Sequence, residues 1–239
     1  MSQKTGAILR IIAIILMSAA ALFTFLGGVG TTCIAFNAEQ YGKVYAAFIP
    51  YKPTYQVFVY VSLLAGIAGL AATWATVRGY KWAYWGAIVT VAAGLAVAGV
   101  QMYYSSTLKE ISFFAVAPTN MRFYVSIVTL VFLLLLRLPG VWQWADFALP
   151  WRGRKSSAGG LAAIVMGAIA LSTPMWAAPG HIVDGYNLVY VLEIPLMVSG
   201  LALALGGLGL LVVSSLGVSR QEIALALRRR VAPVRAVNS

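Results

Sequence analysis

Glu193 is the ionisable residue whose setting most suggests chemistry. It stands in the apolar run LVYVLEIPLM, well inside the last hydrophobic stretch of the chain. A carboxyl within a membrane span is costly and marks a proton, cation or substrate contact. Its expected partners are Arg122, at the outer end of an earlier span, and the hydroxyls of Tyr60 and Tyr124. Pro195 follows and would kink the helix, freeing a carbonyl nearby. The plainer reading is a shallow carboxyl that reaches outer water or forms a structural ion pair. A second cluster is the glycine run Gly27, Gly28 and Gly30, followed by Thr31, Thr32 and Cys33. Glycines there either expose carbonyls to an ion or ligand, or let a neighbouring helix pack closely. The run is no phosphate-binding loop, since the Lys-Ser/Thr ending and the preceding strand are missing. Cys33 has no nearby base and reads as a small packing residue.

His181 and Asp184 form the third candidate, a small polar pair on the last outer loop. With one histidine, one cysteine and six acidic residues in the chain, a metal site is not expected. The composition also excludes bis-histidine haem and an internal disulfide. No Ser-His-Asp order, HExxH or dense acidic cluster is present, so no catalytic residue is assigned. No covalent or metal cofactor motif appears either. A quinone or pigment held by aromatics and small residues would leave no motif.

The elements that position these residues follow from hydropathy. The chain of 239 residues is 61% hydrophobic and only 10% charged, against about half apolar and a quarter charged in soluble domains. Residues 11–38 contain no charge, longer than the roughly 20 residues that cross a hydrocarbon core. They carry no small-residue cleavage site and read as a retained span. The expected fold is all-α, a polytopic bundle of six spans: 8–31, 54–77, 82–106, 119–138, 158–178 and 187–215. These make up a transmembrane domain over 1–218, with a basic tail over 219–239. Arg122 and Arg137 flank the fourth span and are expected to snorkel to the headgroups.

With the N-terminus inside, thirteen Lys and Arg fall on inner segments and four on outer ones, Lys43, Lys52, Lys109 and Arg122. That asymmetry predicts cytoplasmic termini in a bacterial-type plasma membrane. It also accounts for the net charge of +11 without nucleic acid. The basic inner segments suit anionic lipid.

The connections add surfaces. Asn37 and Gln40 have capping-box spacing, and Tyr41, Val44, Tyr45 and Phe48 follow at helical spacing. This predicts a short amphipathic helix on the outer surface, as an interface belt or a partner-docking face. Phe113 and Phe114 make the second outer loop too apolar to lie free. Trp142, Trp144 and Trp151 suit the headgroup level on the inside. Ala65 with Gly69, and Gly94 with Ala98, are small pairs expected to bring the second and third spans together. Tyr60, Tyr124 and Tyr190 open the returning spans in similar tripeptides, 64 and 66 residues apart. They suggest either three tandem hairpins or convergence at the outer interface.

The leading expectation is a non-catalytic integral subunit of a larger membrane assembly, in contact with other membrane subunits. A transporter or channel using Glu193 is the alternative, and a membrane enzyme using His181 and Asp184 the third.

Overall fold

A computed structural model describes residues 3–145, 155–178, 181–183 and 185–215. The described chain is almost wholly helical. It contains α1 (Gln3–Asn37), α2 (Lys52–Arg78), α3 (Ala83–Lys109), α4 (Thr119–Leu135), the short α5 (Trp142–Ala145), α6 (Lys155–Ala177) and α7 (Glu193–Ser215). A two-stranded hairpin, β1 (Ile182–Val183) and β2 (Tyr186–Asn187), precedes a 3-10 turn over Leu188–Leu192. Five helical stretches are long and apolar enough to cross a membrane: Thr5–Val44, Ala46–Arg78, Ala83–Lys109, Ser157–Ala177 and Leu188–Ser215. α4 is also apolar but has only 17 residues, about 25 Å at 1.5 Å per residue.

The helices stay regular through hydroxyl-bearing residues because those hydroxyls serve themselves. Ser18 donates to the Ile14 carbonyl, Thr24 to Ala20, Thr31 to Gly27, Thr73 to Gly69 and Thr173 to Ile169. Each bond closes within one turn, so no hydroxyl needs a partner from another helix.

α1 is the central strut and touches α2, α3, α4, α5 and α6. The small-residue pairs serve this helix rather than the α2–α3 contact they were expected to make. A Cβ on Gly69 would lie 2.9 Å from the Ala21 Cβ, and one on Gly94 would lie 2.9 Å from Thr24 Oγ1. Gly66 is tighter still, with the Phe25 backbone 2.8 Å from where its Cβ would be. α6 and α7 pair mainly with each other. Gly160 meets Gly207 and Gly167 meets Gly200, each backbone carbonyl falling within 3.1 Å of the position the opposite Cβ would take. α6 joins the bundle through α1, whereas most of α7 remains exposed.

The connection after α1 departs from the expected surface helix. Residues 38–51 form two 3-10 segments, broken where Gly42 takes φ 57. Asn37 makes no side-chain cap. The chain folds inward here, and Tyr45 and Phe48 are 2% and 1% exposed. Tyr41, Tyr45, Phe48, Tyr55, Phe58 and Tyr104 stack edge-to-face in sequence, with centroids 5.3–5.9 Å apart. Such contacts add to ordinary burial. Tyr45 and Phe48 therefore belong to the protein's own core and offer no face to a partner, and Tyr41 is half-buried beside them. Phe113 is half-buried against Phe123, whereas Phe114 stays exposed beside Tyr124.

At the opposite end, Arg137 lies over the Trp142 ring at 4.3 Å, with Tyr84 and Trp85 beyond 5 Å. Arg137 stays exposed at the helix end, as snorkelling expects, with the rings as its seat. Arg10, in contrast, is drawn inward, 5% exposed, and donates to the Thr76 carbonyl. The Trp144 side chain, Trp151 and the basic tail over 219–239 lie outside the described residues.

Candidate functional site

Arg122 departs most from its expected place. It enters the bundle in the first turn of α4 and is only 2% exposed. Its Nη1 donates to Ser62 Oγ of α2 at 2.8 Å, and its Nη2 donates to Gln101 Oε1 of α3. Gln101 passes the connection on, donating through Nε2 to Thr31 Oγ1 of α1 at 3.0 Å. Thr31 then donates to the Gly27 carbonyl at 2.6 Å. One guanidinium thus links four helices through neutral groups. Its Nε has no hydrogen-bond partner.

Gly27 explains how so large a group fits. A Cβ at this position would stand 2.8 Å from both Arg122 Cδ and Nη1. The bare backbone of α1 makes the room. Gly28 admits Leu63 and Ser62 in the same way, at 3.1 Å. Gly30 faces His181, whose Nε2 lies 3.2 Å from the Gly30 carbonyl while Nδ1 lies 2.8 Å from that of Ala177. The glycine run therefore brings Arg122 and His181 against α1. Its role is close approach; the Gly27 carbonyl is engaged by Thr31 and the Gly30 carbonyl by His181.

These groups border a cavity of about 300 Å³ between α1, α3, α4, α6 and the start of α7. Phe23, Leu26, Trp176 and Leu196 give it apolar walls; Arg122, Gln101, Thr31 and His181 supply polar atoms. Lys109 stands at the end nearest the 38–51 connection, its Nζ 5.5 Å from the Tyr45 ring centre. Burial pushes the Tyr45 phenol up to about 12, so the ring keeps its proton. Among the described residues no carboxylate lines the cavity. Among the described residues the only ion pair is Lys52 with Glu39, on the surface.

Glu193 is elsewhere. It is the first residue of α7 and exposed, where a negative charge suits the helix dipole. Five residues expected to continue the helix upstream form the 3-10 turn instead, which moves Glu193 from mid-helix to helix start. Pro195 then falls in the first turn, where it needs no kink. Tyr60 and Tyr124 are 55% and 41% exposed and do not line the cavity. Glu193→Gln is accordingly expected to change stability by about 1 kcal/mol or less, and to leave occupancy of the cavity unaltered. Thermal unfolding in detergent and native mass spectrometry check both.

His181 is poorly placed for catalysis, because both ring nitrogens face backbone carbonyls. Asp184 lies outside the described residues. Among the described residues no group of three or more His, Cys, Asp or Glu could hold a metal. Cys33 lines the cavity as a free thiol.

Sequence reasoning passed over Gln101, Ser62 and Trp176. Gln101 carried a usable signal, as an amide deep in an otherwise apolar span. Its 4% exposure shows why it is there: it is the bridge between Arg122 and α1. No known protein family, curated protein or solved structure matches the chain.

Proposed function

We propose that this chain is a non-catalytic, six-span membrane protein that holds a small amphipathic molecule in its cavity, with both termini cytoplasmic. The observation that carries the reading is a buried guanidinium without a carboxylate, on the wall of a mostly apolar cavity. Burying an unpaired charge costs several kcal/mol or more. A protein that keeps one on a cavity wall has a use for it. The cavity volume of about 300 Å³ falls at the lower edge of the range for small-molecule sites.

α4 serves as the fourth span in this reading. It is extended by the turns beyond Leu135, and polytopic bundles tolerate a short helix where protein surrounds it. The excess of Lys and Arg on one set of connections supports the orientation. It puts the cavity in the outer half of the bilayer, and a bacterial-type plasma membrane fits the same pattern.

The test is extraction in a mild detergent followed by native mass spectrometry. A bound species of a few hundred daltons, released on denaturation, is the expected result. Bare protein in every detergent tried overturns the reading.

Membership of a larger assembly is the second reading. It is favoured by Ala202, Gly206 and Gly209, which lie on exposed positions of α7 with no neighbour within 4 Å of either glycine. Small residues at such spacing suit a helix from another subunit. Co-migration of a second chain in the same experiment would support it.

A further inference from the structure

We infer that the occupant of the cavity is an anionic amphiphile, a carboxylate or phosphate headgroup on an acyl chain, with its oxyanion at Arg122. The inference rests on the ligand-holding function proposed above and adds the chemistry of the ligand.

Charge comes first. Arg122 and Lys109 line the cavity, and among the described residues neither a carboxylate there nor an ion pair elsewhere neutralises them. Ser62 and Gln101 present oxygen to the guanidinium, which orients it without cancelling its charge. Each terminal nitrogen makes one of its two possible bonds and the Nε makes none. A guanidinium has five N–H groups, and its fork matches the paired oxygens of a carboxylate or phosphate. A neutral quinone would accept a hydrogen bond but leave the charge uncompensated.

Shape gives the rest. A volume of about 300 Å³ lies at the lower edge of small-molecule sites, with room for a headgroup and the first part of a chain. The walls away from Arg122 are Phe23, Leu26, Trp176 and Leu196. The lining continues to Leu192 and Val191, which are 39% and 79% exposed at the start of α7. A chain lying along this line leaves the cavity there and enters lipid.

The test uses the full chain in nanodiscs of zwitterionic phosphatidylcholine. The probe is 9,10-dibromostearate, whose bromines quench a nearby indole, and the readout is the quenching that Trp176→Phe removes. Stearyl alcohol, lysophosphatidate and inorganic phosphate serve as competitors. Saturable quenching at Trp176 is expected, with displacement by lysophosphatidate and not by stearyl alcohol or phosphate alone. Whether stearate or lysophosphatidate binds more tightly assigns the headgroup. Arg122→Met is expected to weaken probe binding by roughly thirtyfold or more. Gln101→Glu, which sets a carboxylate beside the guanidinium with little change of shape, is expected to do the same. It serves where the first variant does not fold.

Displacement by stearyl alcohol as effective as by lysophosphatidate, with both variants binding normally, overturns the anionic class but preserves the ligand-holding function. Displacement by phosphate alone at equal concentration overturns the amphiphile. Absence of quenching at Trp176 overturns the inference, and a bare protein in native mass spectrometry would then remove the function beneath it.

Discussion

Arg122→Met is expected to leave the stability of the ligand-free protein within about 2 kcal/mol of wild type while weakening its affinity for the ligand roughly thirtyfold or more. Most truncations of a buried, hydrogen-bonded side chain destabilise. Here the side chain carries a charge that is 2% exposed and faces no carboxylate. Replacing such a charge by an apolar group of similar length is neutral or stabilising by up to about 4 kcal/mol. The losses on the other side are two hydrogen bonds, to Ser62 and Gln101. Bonds to a charged group are worth about 1.5–3 kcal/mol each, so the partners left behind offset part of the gain. Gln101 keeps its Nε2 bond to Thr31, but its Oε1 and the Ser62 Oγ lose their donor. Gain and loss nearly cancel, and the net expectation is a change within about 2 kcal/mol, or a shift in Tm of no more than about 8 °C for a chain of this size. Thermal unfolding of delipidated wild type and variant checks it. A larger fall in Tm would show that Arg122 serves as a structural clasp. Added ligand should raise the Tm of the wild type alone, since a ligand that binds only the folded wild type stabilises it by mass action.

Gly167→Val is expected to separate α6 from α7. A Cβ at Gly167 would fall 2.6 Å from the Gly200 carbonyl oxygen and 2.8 Å from the Ala204 nitrogen. Both are backbone atoms of a regular helix, so neither swings aside as a side-chain tip would. Gly160 and Gly207 have the same relation one heptad away, at 2.8 and 2.5 Å. The contact is therefore a seam of backbone on backbone, in which packing replaces the hydrophobic effect that lipid removes. Valine adds three carbons where not one fits, and a loss of about 3 kcal/mol or more is expected, at the upper end for overpacking. Because α7 packs chiefly on α6, the loss should be confined to this hairpin. Proteolysis of the 178–192 connection should accelerate while α1 to α4 keep their protection. The conservative Gly206→Val, at a position with nothing within 4 Å, is the control and should leave the protease pattern unchanged.

The helices were legible in the sequence because lipid permits little else, and hydropathy reads that constraint directly. The 38–51 connection was not. Its aromatics have the spacing of a surface helix, but Gly42 breaks the repeat and the 3-10 backbone turns Tyr45 and Phe48 inward. Helical spacing records only that several rings share a side, not whether that side faces lipid or protein. The site was half visible. The sequence singled out Arg122, Gly27, Gly28, Gly30 and His181, yet not as one site, and the structure brings all of them but Gly28 to one cavity. What linked them was tertiary: the room for Arg122 comes from the absence of a Cβ on another helix. Glu193 differs for a local reason. A 3-10 turn looks like helix in a hydropathy profile, so the expected span starts at 187 whereas α7 itself starts at Glu193. The seven-residue spacing of Gly160 with Gly167 and of Gly200 with Gly207 was present throughout. It passes unnoticed when only four-residue pairs are sought.

The self-contained hydroxyls have a consequence for how the protein is made. Ser18, Thr24, Thr31, Thr73 and Thr173 bond within their own helices. These five hydroxyls can therefore leave the insertion machinery and wait in lipid with their partners already in place, whereas Ser62 of α2 waits for Arg122. Arg122 and Gln101 have no such means, since their partners stand on other helices. α4 gains little by entering lipid before α1, α2 and α3 are gathered to receive it. The guanidinium thus imposes an order on assembly: the first three helices form a vestibule during synthesis, and the arrival of α4 closes it. Synthesis arrested after α3 should yield a membrane-inserted, protease-resistant intermediate, whereas α4 released alone should slip back toward the aqueous side.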